Sequence, residues 1–194
     1  MEVGETVYPQ HRQDWHEWLA KHHRTKTEIW VQKYRKATGK PSIPYDDLVE
    51  CCLCFGWIDG IIKKHGPEGS AQRITPRRKK SFLSELNRQR IWKLQKIGEM
   101  TPAGVAPIAN QIGSPDDPIL IPAWFEDALR QEGQWDAFRD FPHFYQRLKV
   151  GWISEVGNTS RAQLERQKRL AHLIAMTKKG KRYGTEPLLD WDSP

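Results

Sequence analysis

Apolar spacing along the chain switches between the helical and the extended period several times. In "DWHEWLAKHH", Trp15, Trp18 and Leu19 recur at helical intervals behind Asp14, so a helix is expected from Asp14, with that carboxylate as N-cap. "TEIWVQKYRK" is β-branched and aromatic around Ile29, Trp30 and Val31 and reads as a strand. After the turn "ATGKPS", the stretch "PYDDLVECCLCF" predicts a second helix, opened by Pro44 and ended by Gly56. "GWIDGIIKK" and "SAQRITP" read as two short strands joined by the loop "HGPEGS". A long helix is expected from Ser81 to about Met100, and helix restarts at Thr101-Pro102, with Thr as cap and Pro in the first turn. "GSPDDPILIP" is a connection, after which helices are expected at 122–131, 135–140, 143–156 and 160–179.

This order predicts an α+β fold: a small antiparallel sheet of three strands packed by helices, followed by an all-helical C-terminal module. The regions are an N-terminal α+β part at 5–115, a helical module at 120–183 and a loose tail at 184–194. A chain of 194 residues buries roughly 70% of its unfolded surface, enough for a core without disulfides. No run approaches the roughly 18 apolar residues of a membrane span. The N-terminus has early acidic residues and no apolar stretch of a secretory signal, so a cytoplasmic location is expected.

Charge changes the picture more than composition does. The net charge of +7 is concentrated: residues 61–100 carry +8, residues 161–182 carry +7, and the remainder carries −8. Two basic segments on an acidic scaffold favour an anionic partner. Metal chemistry finds no such support. Cys51 and Cys52 are adjacent, about 100° apart on a helix, and no second cysteine pair exists to complete a zinc set. Cys51, Cys52 and Cys54 are read as buried packing, and no metal or cofactor is expected. "GPEGS" lacks the spacing and the Lys-Ser/Thr of a phosphate loop. "SPDDP" holds two carboxylates in a linker and is read as a turn.

The basic run "RITPRRKK" places Arg73, Arg77, Arg78, Lys79 and Lys80 near a helix start, where guanidinium forks and free N–H groups can meet an anion. In the helix that follows, Leu83, Leu86, Leu94, Ile97 and Gly98 share a face, with Ile91 at its margin, and Asn87 and Arg90 fall inside the same arc. A buried Arg needs an ionic partner and a buried Asn needs hydrogen bonds, for which Asp59 of "WID" is the candidate. In the last helix Leu164, Ala171 and Ile174 form the packing side, with Leu170 and Leu173 adjoining and basic residues elsewhere.

The segments "DWHEWLAKHH", "EIWVQKYRKATGKPSIPYDDLVECCLCFGWIDG", "AQRITPRRKKS", "NRQRIWKLQKIGEMTPAG" and "IPAWFEDAL" resemble the YdeI/OmpD-associated family of bacterial proteins over about residues 12–182. The resemblance implies a role in resistance to bacteriocins or cationic antimicrobial peptides, and association with a porin. It implies no catalytic chemistry. Trp57, Asp59, Arg73, Thr75, Pro76, Arg77, Arg78, Asn87 and Arg90 match the family pattern, whereas "SFLSELN" and "SEVGNTSRAQ" depart from it.

Three functions remain open. The first is a binding protein, concerned with stress or bacteriocin protection, that takes an anionic small molecule or phosphate group. Its ligand set is Trp57, Asp59, Arg73, Thr75, Arg77, Arg78, Asn87 and Arg90. Nucleic-acid binding through the two basic segments is the second. The third is an enzyme acting on a phosphorylated ligand with Asp59 as base. It ranks last, because neighbouring arginines lower a carboxyl pKa where a base needs it raised.

Overall fold

The structure, a computed structural model, describes residues 2–79, 81–157 and 159–184. Of the expected tail at 184–194 only Gly184 is described, and the basic Lys80 also lies outside the described residues. The chain is α+β, as expected. It forms two compact units, one built from residues up to Phe82 with Leu94–Ile112, the other from Leu83–Lys93 with the residues from Gly113 onward.

In the first unit α1 (Arg12–His22) precedes β2 (Ile29–Tyr34), α2 (Tyr45–Cys54), β3 (Trp57–His65) and β4 (Gly69–Pro76). The three strands pair antiparallel in the order β2-β4-β3. A fourth, β1 (Thr6–Val7), lies parallel to β2 and makes the sheet mixed. Two residues are too few to show a period, so the pattern did not reveal this strand. Helix α1 starts two residues before Asp14, with His11 as N-cap. Asp14 instead reaches back from the third helical position, its Oδ2 accepting from the N–H groups of Gln10 and His11 at 3.0 Å each.

Strand alternation sorts the sheet's side chains. Ile29, Val31, Ile74, Trp57 and Asp59 share one face, because Asp59 sits opposite Ile74 and Trp57 opposite Pro76. Trp30, Gln32, Arg73 and Thr75 share the other. The bulge between Asp59 and Ile62 inserts one residue and keeps both on the same side. Trp15, Leu19, Leu48 and the three cysteines complete the core.

The motif "MTPAG" is explained by the chain segment it meets. Thr101 caps α4 (Pro102–Val105), its Oγ1 accepting from Gly104 N–H at 3.2 Å and donating to Cys54 O at 2.6 Å. A Cβ on Gly104 would lie 2.5 Å from Leu53 O and 2.7 Å from the Cys54 carbonyl carbon. Gly56, at φ +72°, faces the Ala103 carbonyl just as closely. Backbone meets backbone here, and only glycine fits.

α3 (Glu85–Lys96) is divided between the units, and it is shorter than the helix expected at 81–100. Gly98 turns at φ +75°, and Ile97, expected on the packing face, is 55% exposed. The second unit adds α5 (Ala123–Gln131), α6 (Trp135–Arg139), α7 (His143–Ser154) and α8 (Ser160–Thr177). Phe125, Leu129, Phe138, Tyr145, Val150, Ile153 and Leu173 form its core. Leu164, placed on α8's packing side by its spacing, is exposed in the structure.

Candidate functional site

The eight residues read from the sequence as one ligand set occupy several places. Trp57, the intended pocket wall, is 1% exposed and its indole donates to His23 O at 3.3 Å, so it belongs to the core. Arg73 lies on the opposite sheet face from Asp59 and grips Glu28, with Nε 2.5 Å from Oε2. That contact, with a second hydrogen bond from Trp30, holds the Glu28 carboxyl below its ordinary pKa. Thr75 pairs with Ile58 on Arg73's side. Arg78 is exposed at the strand end, where its N–H donates to Ser81 Oγ at 3.2 Å. Asn87 and Arg90 fall in the second unit, where Arg90 Nη1 donates to Asn87 Oδ1 at 2.8 Å.

Asp59 and Arg77 do share one charged neighbourhood. Asp59 Oδ2 accepts from Tyr45 Oη at 3.0 Å and from Gln72 Nε2 at 2.9 Å. Buried Arg77 donates to Phe82 O at 3.0 Å. Burial pushes the Arg77 pKa down, and the nearby Asp59 carboxylate opposes that fall. Lys33, 5.3 Å from the Tyr45 ring centroid, shows the same balance. The expectation that Asp59 would serve Arg90 is replaced by these partners within the first unit.

The cysteines match the packing reading. All three are free and buried. Burial raises the pKa of Cys51 and Cys54 to about 12 and drives that of Cys52 up as well, so none offers a thiolate. Among the described residues no three His, Cys, Asp or Glu side chains are grouped to hold a metal ion. No described helix is long and apolar enough to cross a membrane.

A cavity of about 510 Å³ lies within the second unit. Helix α3 supplies Gln89 and Trp92, three residues apart and therefore on one face. Helix α7 supplies His143, Phe144 and Arg147, and the connection between α4 and α5 supplies Pro115 and Asp116. The "SPDDP" connection is folded as a turn, with Asp117 Oδ2 accepting from Ser114 N–H at 2.7 Å, and this leaves Asp116 exposed at the cavity.

Arg147 is the distinctive group. It is 7% exposed, with its guanidinium 5.4 Å from the Trp92 ring centroid. Nη2 donates to the carbonyls of Pro115, at 3.3 Å, and Asp117. Its Nε has no hydrogen-bond acceptor among the described residues, the Glu85 Oε1 atom standing 3.9 Å away. Glu85 is itself buried and bonded by Arg88, and burial raises its pKa. At the mouth, burial and the cations Arg147 and Arg139 hold the His143 pKa below its usual value. The cavity thus joins an aromatic wall, a buried cation with one unspent donor, an amide, and a histidine biased to the neutral form.

A family model described as a domain of unknown function (DUF8412) matches residues 7–107, just over half of the chain. The chain is a member of the DUF8412 family. Neither a curated protein nor a solved structure matches it. Within this DUF8412 protein, Gln89 and Trp92 lie inside the matched span, whereas Asp116, His143 and Arg147 lie beyond it.

The sequence reading missed this cavity because its two walls are more than fifty residues apart. A signal was nevertheless present in α7. Gln146 and Lys149 fall within the helical arc set by Tyr145, Val150 and Ile153, while Arg147 lies about 60° beyond its edge. It is the same anomaly of polar groups on an apolar face that singled out Asn87 and Arg90.

Proposed function

We propose that this protein binds a small anionic ligand, a carboxylate or phosphate attached to a flat or apolar body, in the Trp92–Arg147 cavity. The observation that carries the reading is the buried Arg147 guanidinium on the cavity wall with Nε lacking an acceptor. Buried charged donors are normally satisfied, and a guanidinium with unused donor capacity at a cavity suits an oxyanion. The cavity volume suits a metabolite-sized molecule. The anionic ligand class is the one expected from the sequence, moved to a different set of residues.

Less supports the nucleic-acid alternative. Arg73, Arg88, Arg166 and Arg169 are engaged by carboxylates or carbonyls of the chain itself, and Arg77 is buried. A cytoplasmic location belongs to the same proposal and is supported by three unpaired cysteines. The protection role implied by the YdeI/OmpD-associated resemblance remains part of the proposal and is tested by survival of a deletion strain exposed to cationic peptides.

The direct test is calorimetric titration of the full chain with inorganic phosphate, benzoate and an aryl phosphate. Asp116 is exposed at the cavity and repels an anion, so Asp116→Asn is expected to tighten binding about fivefold, the ~1 kcal/mol of one charge at roughly 4 Å in water. Binding unchanged by Asp116→Asn, or binding of cations in preference to anions, would overturn the reading.

A further inference from the structure

A second cleft, of about 410 Å³, lies in the first unit at the end of the sheet where β1 and β2 both finish. Its residues are Tyr8, Gln32, Tyr34, Lys40, His65 and Glu68, with neighbouring residues of β1 and the β3–β4 turn. None of them belongs to the ligand set read from the sequence or to the Arg147 cavity.

Gln32 is the observation that makes this cleft more than a groove. It is 7% exposed, and its Oε1 has no hydrogen-bond donor among the described residues. The amide is held in place by design of the backbone: Nε2 reaches Lys33 O at 3.4 Å, and the amide lies over Gly69, where a Cβ would come within 2.5 Å of Lys33 O. Glycine at 69 therefore makes room for an amide that leaves its acceptor unsatisfied. A buried acceptor without a donor costs stability, and an incoming donor removes that cost.

The surroundings narrow the chemistry of that donor. The Tyr8 and Tyr34 rings meet edge to face at 5.0 Å, and the Tyr8 hydroxyl donates to Pro41 O, which fixes the ring. Lys40 lies 4.6 Å from the Tyr34 centroid and pairs with Glu68 at 2.8 Å, so cation and anion cancel at the rim. A phosphate or carboxylate would meet Glu68 and the Gln32 carbonyl oxygen and be repelled by both. A free ammonium would have to displace Lys40. A neutral polyhydroxylated molecule suits these groups: one hydroxyl donates to Gln32 Oε1, others accept from Lys40 and donate to Glu68, and its C–H surface rests on tyrosine carbon.

We propose that the sheet-end cleft is a binding site for a neutral sugar, with Gln32 Oε1 accepting from a ring hydroxyl. The experiment is saturation-transfer difference NMR on the full chain with glucose, galactose, N-acetylglucosamine and their disaccharides, beside glucose 6-phosphate and glucuronate. At least one neutral sugar is expected to bind with millimolar or better affinity, and its charged derivative more weakly. Gln32→Met keeps the volume and removes the unsatisfied acceptor. It is expected to weaken the sugar about tenfold without lowering the melting temperature, while Asp116→Asn leaves the sugar unaffected. Should Gln32→Met fold poorly, Glu68→Gln at the exposed rim is the second variant, with a loss of several-fold expected. Absence of binding by every neutral sugar, preference for the charged derivatives, or affinity unchanged in both variants would overturn the proposal.

Discussion

Gly104→Ala pits two physical effects of opposite sign against each other. By propensity alone, alanine in place of glycine in a helix favours folding by ~1 kcal/mol. In α4 the added methyl would stand 2.5 Å from Leu53 O and 2.7 Å from the Cys54 carbonyl carbon, both of them backbone atoms that no rotamer change can move. Forcing a methyl into such a site costs ~1–3 kcal/mol. Moving α4 outward to relieve the clash loosens two hydrogen bonds to Cys54 O, from Thr101 N at 3.2 Å and Thr101 Oγ1 at 2.6 Å, each worth ~1 kcal/mol. The net expectation is a loss of ~2–3 kcal/mol. Hydrogen exchange read on peptides from α2 and β3 reports the affected region directly, and their protection is expected to fall about thirtyfold or more. A variant as well protected as the wild type, or better, would refute the packing argument and leave only propensity at work.

Two further outcomes follow from the buried titratable groups. Native protein is expected to leave Cys51, Cys52 and Cys54 unlabelled by a disulfide reagent at pH 8, all three reacting only on unfolding; fast native labelling of any one would contradict their raised pKa values. Lys149 is 5% exposed among Tyr145, Trp152 and Tyr183, with Nζ 3.7 Å from the Tyr183 centroid, and burial lowers its pKa from 10.5 to about 8. The unfolded chain then binds the extra proton between about 8 and 10.5, so stability from this group rises with pH across that window and is lost as pH falls through 8. Lys149→Met should flatten that rise. At pH 7 the burial cost of ~3 kcal/mol is offset by three ring faces at ~0.5–1 kcal/mol each, ~1.5–3 kcal/mol in all, so the variant should be about as stable as wild type or more stable. A loss above ~2 kcal/mol, or an unchanged pH profile, would show the ammonium to be a net anchor.

The elements were legible wherever a period had room to express itself. Helices α5 to α8 and strands β2 to β4 follow the spacing of their apolar residues to within a few positions. Failures came where the deciding contact is distant. Asp14 reads as an N-cap because the carboxylate sits before an apolar run, yet the helix opens earlier and uses the same carboxylate from inside. The ligand set failed on parity. Asp59 and Arg73 both carry chemistry near one strand pair, but register puts them on opposite faces, and an alternation count needs the bulge between Asp59 and Ile62 to come out right. What the sequence did show is a type of anomaly: polar side chains where the helical period demands apolar ones.

That anomaly has different meanings at different positions, and the family match helps to separate them. Gln32 and Gly69, which create the unsatisfied acceptor at the sheet end, both lie within residues 7–107, as do Tyr8, Lys40 and Glu68. The whole of that cleft except Thr6 is therefore built from the span that defines membership. The Arg147 cavity draws only Gln89 and Trp92 from that span and takes its cation, histidine and carboxylate from beyond it. A chemistry common to DUF8412 proteins has to be carried by groups that the shared span contains, which the sheet-end cleft satisfies. The proposed anion site depends on the helices that follow, so in this chain it draws on residues beyond the matched span.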